Sequence, residues 1–424
     1  MIGKEQWDWN PGRKIITDLG KWKEEYGYME EPAVSPDGEK VAAVIKTPEE
    51  EFGVCVNGEI WESTFDKICY LQYTPDNRLT ATVSDVGEWT VAVNGETWEN
   101  RYDYMWNLHI SADGSRIIAA AQKEGKYLAV NNDVPWENEF MFMTDLSVSA
   151  DGMHTSGVVQ VVPFSEGDIH TFRKGCYTTA VDGRTWENNF MNVWEPEFSP
   201  DGKHVAAQVR KSNYEYSIAV DGQAWNNFFG CVWKPRFSPG GDSVSAPVRV
   251  GGAWMLARDG EIIWNKKFVQ LWHHAYSPDM QHIAAIVAPK FGKWTVAVDG
   301  KAWKPCVDEY VTDMVFSPRH NRVACIGKDN GRYYVMTDGK KWDEDFDMAW
   351  KPAFSHDGEH LAVKVEKNRH YTYIVDGKIL RESYDMLWDP VFSPDGTKLL
   401  IRGITRVSGQ KEQYFREVIS LNQI

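Results

Sequence analysis

The chain is short of the features that usually announce an enzyme, a nucleic-acid binder or a membrane span. None of the patterns G-x-S-x-G, H-E-x-x-H, G-x-x-x-x-G-K-[ST] or G-x-G-x-x-G occurs in its 424 residues, so the commonest hydrolase, metalloprotease and nucleotide-binding signatures are excluded. Cysteine is sparse: Cys55, Cys69, Cys176, Cys231, Cys306 and Cys325 are scattered, the closest pair 14 residues apart. Without a C-x-x-C, zinc ribbons and iron–sulfur ligation by this chain alone are not expected, and isolated thiols fit a reducing cytosol. No run of 18 apolar residues exists, and MIGKEQWDWNPGRK has no apolar h-region. Neither a membrane span nor secretion is therefore expected. Positive charge is also short: 46 Lys and Arg face 61 Asp and Glu, for a net charge of −15. That balance argues against a nucleic-acid partner and leaves local basic patches open.

Tryptophan is abundant, with 20 copies. Nine of them, Trp22, Trp61, Trp98, Trp136, Trp186, Trp225, Trp264, Trp303 and Trp342, recur at spacings of 37 to 50 residues, mostly 38 or 39, and Leu380 takes the tenth place. A period near 40 built of strand-like pieces marks a radial array whose units bury their faces against neighbours.

Residues 333–358 show one unit. A β-prone segment ends at Asp338-Gly339, a two-residue hairpin signal, since both central residues of a type I′ turn need positive φ. A short segment follows Trp342, then Trp350-Lys351-Pro352 leads to Ala353-Phe354, and Ser355-His356-Asp357-Gly358 turns the chain into an alternating strand. In order of appearance these are strands C, D, A and B. The A–B turn begins at Ser35, Thr74, Ser111, Ser149, Ser199, Ser238, Ser277, Ser317, Ser355 and Ser393, and five of these continue as Pro-Asp. A second aromatic precedes the turn serine by five residues (Trp106, Trp194, Trp233, Trp272, Trp350, Trp388), and a third precedes the first tryptophan by nine (Phe52, Trp89, Tyr127 and onward).

These repeats predict an all-β fold: a β-propeller of about ten four-stranded blades over residues 1–424. Two five-bladed halves, about 1–215 and 216–424, are the alternative. Gly20-Lys21-Trp22 matches the start of a strand D, and Gln413–Leu421 reads as a strand C without its own D. The two ends are thus expected to complete one blade and remove free edges.

Nothing points to catalysis, a metal or a cofactor. Adjacent His273 and His274 would point to opposite faces, which favours structural roles. Asp66, Asp103, Asp347 and Asp385 repeat with the fold, as turn residues do, whereas a glycosidase needs one unique acid pair. Tryptophans in register read as blade-to-blade packing rather than sugar platforms, with Trp7 and Trp9, out of register, as the exposed ones. A carbohydrate-binding or glycan-hydrolysing propeller is the alternative function.

One pattern faces outward. The B–C connections carry Lys123 and Lys126, Arg173 and Lys174, Arg210 and Lys211, Arg249, Lys290 and Lys293, Lys328 and Arg332, Lys367 and Arg369, and Arg406. They share one face of a propeller with the D–A links, so a ring of positive charge is expected there unless D–A carboxylates cancel it. The only large insertion, Val162–Gly175, lies on that face, and the candidate docking residues are Lys126, Arg173, Lys174, Arg210, Lys211, Lys290, Lys293, Arg332, Lys367 and Arg369.

The turn Phe198-Ser199-Pro200-Asp201-Gly202 followed by an apolar strand resembles WD40-like repeats of the TolB type, a resemblance of fold that covers nearly the whole chain. The added Asp-Gly-x-x-Trp and Trp-x-Pro register departs from those repeats. With its tryptophan density and length, the chain is similar to the tryptophan-rich TmcD subunits of the Tmc transmembrane electron-transfer complexes of sulfate-reducing bacteria. That resemblance implies a cofactor-free cytoplasmic subunit, peripheral to the membrane, docked on an iron–sulfur, heterodisulfide-reductase-like subunit and a cytochrome b subunit. It carries over no functional residue.

Overall fold

Two turn motifs cut the chain into strands, and the computed structural model, which describes residues 3–165, 167–407 and 411–424, shows how. In blade 1, strands A (Ala33–Val34), B (Val41–Lys46), C (Phe52–Val56) and D (Glu59–Ile60) form an antiparallel meander. The buried Ser35 hydroxyl donates to Asp37 Oδ1 at 2.6 Å and accepts the Lys40 N–H at 2.9 Å, locking the A–B turn around Gly38 at φ +77°. Asn57 and Gly58 take φ +51° and +100°, as a type I′ hairpin requires. Asn57 Oδ1 also accepts the Val41 N–H at 2.9 Å, tying the C–D hairpin to strand B. Asn94, Asn132, Asp182, Asp221, Asp259, Asp299, Asp338 and Asp376 repeat this bond at 2.8–3.0 Å.

Ten such sheets follow one another, forming a ten-bladed propeller. Gly12–Asp18 is the fourth strand of blade 10, antiparallel to Lys411–Ser420 with Gly12 opposite Val418. The expected closure by the two ends is present. Gly20-Lys21-Trp22, however, begins no strand. Asp18 caps a helix, Leu19–Tyr26, by accepting the Gly20 N–H at 3.1 Å, and Gly27 ends it at φ +67°. Trp22 still reaches the core against Val41 and Cys55. At the seam between blades 10 and 1, the buried Arg402 and Arg416 donate to the carbonyls of Ser35 at 3.2 Å and Asp37 at 3.1 Å.

The register tryptophans lie between blades. Six of them lay their rings on the C–D hairpin of the next blade: Trp61 on Gly95, Trp136 on Gly183, Trp186 on Gly222, Trp225 on Gly260, Trp264 on Gly300, Trp303 on Gly339. A methyl group added to Gly222 would stand 3.0 Å from Trp186, so the bare hairpin is also what lets the indole approach. Trp98 faces the glycine-free hairpin Asn132-Asp133, where the Glu99 N–H and the Asn100 amide bond Asp133 instead. Asn138, Asn188 and Asn227, two residues after their tryptophans, donate to the carbonyls of Gly183, Gly222 and Gly260 at 3.0–3.1 Å. Four residues after the register position comes a second core side chain, including Phe65, Tyr102, Phe190, Phe229, Phe268, Phe346 and, after Leu380, Tyr384, all buried.

Trp7 and Trp9 are not exposed. Trp7 is 9% accessible, packs on Leu400 and Val418, and stacks on Trp9 at 6.0 Å. Lying outside the repeat register, they cover the hydrophobic end of blade 10.

Two expected outcomes test this packing. Trp225→Ala should cost about 3–5 kcal/mol in chemical denaturation, and Trp225→Phe clearly less. On the A–B face, His154, His204, His282 and His360 each bond the hairpin aspartate through Nδ1 at 2.6–2.7 Å. The hydrogen bond to Asp299 holds the His282 imidazole above its ordinary value of 6.5. A raised folded value favours the native state fully below 6.5, and the gain is lost as pH climbs through the folded value. His282→Gln should therefore lower Tm at pH 5.5 and leave it nearly unchanged at pH 8.5.

Candidate interaction surface

The A strands form the inner wall: His109, Asp145, Glu195 and Lys234, from four successive blades, line a single recess of about 470 Å³. Six of these strands are bulged at one position, where Tyr70, Asn107, Asp145, Glu195, His273 and Asp313 take φ between +46° and +57°. The bulge interrupts the ladder to strand B and aims these side chains away from the sheet.

The B–C hairpins and D–A links share the other end of each blade. Of the ten expected docking residues, four are neutralised there. Lys126 pairs with Glu139 at 3.4 Å, Lys367 with Glu344 at 3.2 Å, Lys293 with Asp308, and Arg332 with Asp345 and Asp347. The partners of Lys126, Lys293 and Arg332 lie on the D–A link that leaves their own blade, and Glu344 on the link that enters the blade of Lys367. Arg173, Lys174, Arg210, Lys211, Lys290 and Arg369 have no carboxylate within ion-pair distance among the described residues. Arg210 donates to the Ser212 carbonyl at 3.1 Å and lies 5.5 Å from the centre of the Tyr216 ring, while Lys211 lies 5.0 Å from that of Phe228. The Val162–Gly175 insertion contains a short helix, Ile169–Lys174, capped by Asp168 and held to blade 4 by Phe164 against Phe172 and Tyr177. Glu166 of this insertion lies outside the described residues.

The unequal cancellation has a sequence cause that the basic residues alone do not reveal. Five residues after the register tryptophan stand Asp66, Asp103, Asp347 and Asp385. Each accepts a backbone N–H of the adjacent B–C hairpin, from Val86, Glu124, Asn368 and Arg406, at 2.6–2.8 Å. They are turn clamps, as their repetition suggested. Hydrogen bonds from Asn368 N–H and from Arg332 hold the Asp347 carboxyl below the usual range. In blade 8, Asp308 takes the place, and its neighbour Glu309 accepts the Gly331 N–H. Between blades 3 and 7 the same place reads Met141, Met191, Gly230 and Val269. An arc of blades 4–7 therefore has basic hairpins and no clamp acid.

The same arc exposes apolar side chains. Tyr214 and Phe291, at two hairpin tips, are 84% and 93% accessible, and Met141, Ile169, Val250 and Val269 are exposed beside them. Beneath the hairpins of blades 5, 6 and 7 lie three near-parallel stacks: Trp194 on Tyr216 (17°), Trp233 on Trp254 (8°) and Trp272 on Trp294 (27°). The corresponding pairs Trp106–Tyr127, Trp350–Tyr371 and Trp388–Tyr414 are tilted or edge-on. A register shift in the C–D ladder of blade 6 puts Trp254 ten residues before Trp264 rather than nine, which is why the spacing rule passes over it. Trp233 is 39% accessible, the most open indole among the described residues.

Trp233 and Trp272 also wall a smaller recess of about 260 Å³ with Glu195, Lys234, Arg236 and His273. Glu197 accepts from Arg236 at 2.8 Å, with Lys234 at 3.4 Å. His273 and His274 both line this recess; His274 is buried and bonds Ser245 at 2.8 Å, its value lowered to about 3 chiefly by burial. The expected alternation to opposite faces does not hold simply here, because the strand is bulged at His273 (φ +48°) and both rings border the same recess. Among the described residues no three His, Cys, Asp or Glu side chains cluster to hold a metal ion, and no helix is long and apolar enough to cross a membrane.

No family model and no curated protein matches the chain. Among solved structures it is similar to a eukaryotic initiation factor, at 11% identity over 82% of this chain and 96% of the other, with a TM-score of 0.47. It is also similar to the Dos1 propeller, at 12% identity over 96% and 95% of the two chains, TM-score 0.36. TolB from Acinetobacter baumannii aligns at 13% identity over 73% and 79%, TM-score 0.29. What these neighbours share with the chain is the β-propeller fold.

Proposed function

We propose that the protein is a non-catalytic scaffold that docks a partner protein through the acid-poor arc of blades 4–7. The observation that carries this reading is the coincidence, in four successive blades, of a missing clamp acid with cations that have no carboxylate partner among the described residues, joined in two of those blades by the exposed aromatic hairpin tips Tyr214 and Phe291. Interface cores favour aromatic residues and arginine, and a positive field speeds encounter with an acidic partner. Outside the arc Lys126, Arg332 and Lys367 are neutralised by carboxylates of the D–A links, as Lys293 is within it, whereas Arg369 of blade 9 keeps its charge. The register tryptophans, covered by neighbouring hairpins, do not serve as open sugar platforms in this reading.

The resemblance to the tryptophan-rich Tmc subunits gives the partner a setting: a membrane-bound respiratory electron-transfer complex, met from the cytoplasmic side. The docked surface would belong to its iron–sulfur or cytochrome b subunit, and this chain would carry no redox centre of its own. Affinity purification from the native source, with mass spectrometry and a visible spectrum of the co-eluting proteins, tests the setting. Haem or iron–sulfur bands should arrive with the partners and be absent from the isolated chain.

The surface itself is tested by neutralisation. Changing Lys174, Lys211 and Lys290 together to Gln should weaken partner capture at low salt by about tenfold or more. Changing Lys126, Lys293 and Lys367 to Gln should leave it nearly intact. Equal effects of the two sets, or no effect of the first, would remove the arc from consideration.

A further inference from the structure

We infer that the indole-walled recess at the inner rim of the arc is an anchor pocket for one aromatic or leucine side chain carried on an acidic segment of the partner protein. The inference rests on the docking reading above and names the chemistry of what is docked.

Size comes first. At about 260 Å³ the recess falls below the roughly 300–1,000 Å³ usual for small-molecule and cofactor sites, and suits a single large side chain. Its walls come next. Trp233 and Trp272 are each backed by a second indole, Trp254 at 5.2 Å and Trp294 at 4.7 Å between ring centres. Stacking from behind fixes the rings before anything binds, so little side-chain entropy is lost on seating an apolar group against them. Trp254 and Trp294 open the strands that leave the B–C hairpins of blades 6 and 7, so these stacks lie near hairpins that carry Arg249 and Lys290.

Charge decides what surrounds the anchor. Lys234 and Arg236 line the recess, and Lys211 and Lys290 are carried by the B–C connections of blades 5 and 7, which flank blade 6. Glu197 is engaged by the inner two, and Glu195 accepts the Gln208 amide. An apolar side chain flanked by carboxylates complements this arrangement; one flanked by lysines would meet like charge. Exposed Tyr214 and Phe291 sit at the B–C hairpin tips of blades 5 and 7, the neighbours of blade 6. The geometry therefore points to a narrow chain segment with its anchor pointing inward, in preference to a flat lipid surface.

A display library of random twelve-residue peptides, panned on the immobilised full-length chain, tests this directly. Enriched peptides should carry Phe, Trp or Leu flanked by Asp or Glu. Synthetic copies should bind Trp233→Ala about tenfold more weakly or worse. Because Trp233→Ala could disturb the stack, Trp233→Phe and Lys234→Glu are measured beside it, with circular dichroism on each. The phenylalanine variant should keep most of the affinity, and the glutamate variant should lose it while remaining folded. Peptides that weaken on neutralising Lys211 and Lys290, yet ignore both Trp233→Ala and Lys234→Glu, would overturn the pocket and leave the arc standing. Peptides indifferent to all of these changes would overturn the pocket and count against the arc. Failure to enrich an acidic apolar motif, or binding of phosphatidylserine vesicles without any such peptide, would also overturn the proposal.

Discussion

The contact on which the rest depends is an indole laid on a bare hairpin. Each blade is a thin four-stranded sheet that cannot bury both its faces alone. The tryptophan after strand D covers the C–D hairpin of the next blade, where positive φ at Asn or Asp and Gly leaves room for it. The same Asn or Asp accepts the first N–H of strand B, so one dipeptide turns the chain, braces its own blade and receives its neighbour. Asparagines two residues beyond the tryptophan add a directional bond to the apolar contact.

With that seam repeated, the outer half of the ring is committed to packing, and variation is pushed to the opposite end. There the clamp acid settles the local character. Where it is present, it holds the hairpin backbone, and Asp347 also pairs with Arg332; where Met, Gly or Val replaces it, Arg210, Lys211 and Lys290 are left without a carboxylate partner among the described residues. Apart from Gly27 in blade 1, the places without the acid are the four consecutive ones of blades 4–7, an arc that also holds the insertion, the exposed tips Tyr214 and Phe291 and the near-parallel stacks of blades 5–7. A structural economy applied in most blades and relaxed in adjacent ones is the physical basis for treating that sector as a recognition surface.

Much of the fold was legible because its signals are local. Asp-Gly and Ser-Pro-Asp-Gly impose φ values that few other dipeptides tolerate, and their spacing gave the blades directly. Trp22 misled because a periodic match competed with equally local helix signals, Asp18 as cap and Gly27 as stop, and the helix prevailed once Gly12–Asp18 had supplied the fourth strand. Trp7 and Trp9 misled because departure from the register says nothing about burial. The basic hairpins were visible, but their neutralisation was not. Arg332 meets Asp345 across 13 residues and Lys367 meets Glu344 across 23, distances that only the meander closes. The gap at Met141, Met191, Gly230 and Val269 was present in the spacing all along, yet it acquires meaning only once Asp66 and its counterparts are seen holding hairpin amides.

The pairing of Gly12–Asp18 with Lys411–Ser420 has a consequence for how the molecule comes apart. An open stack of repeats can fray from either end, one unit at a time, because each terminal unit has a single neighbour. Here the two chain ends share one sheet, so no unit is terminal and none can peel away until that zipper parts. Loss of structure should therefore begin as the breaking of a lock, with the remaining wedges held until it gives.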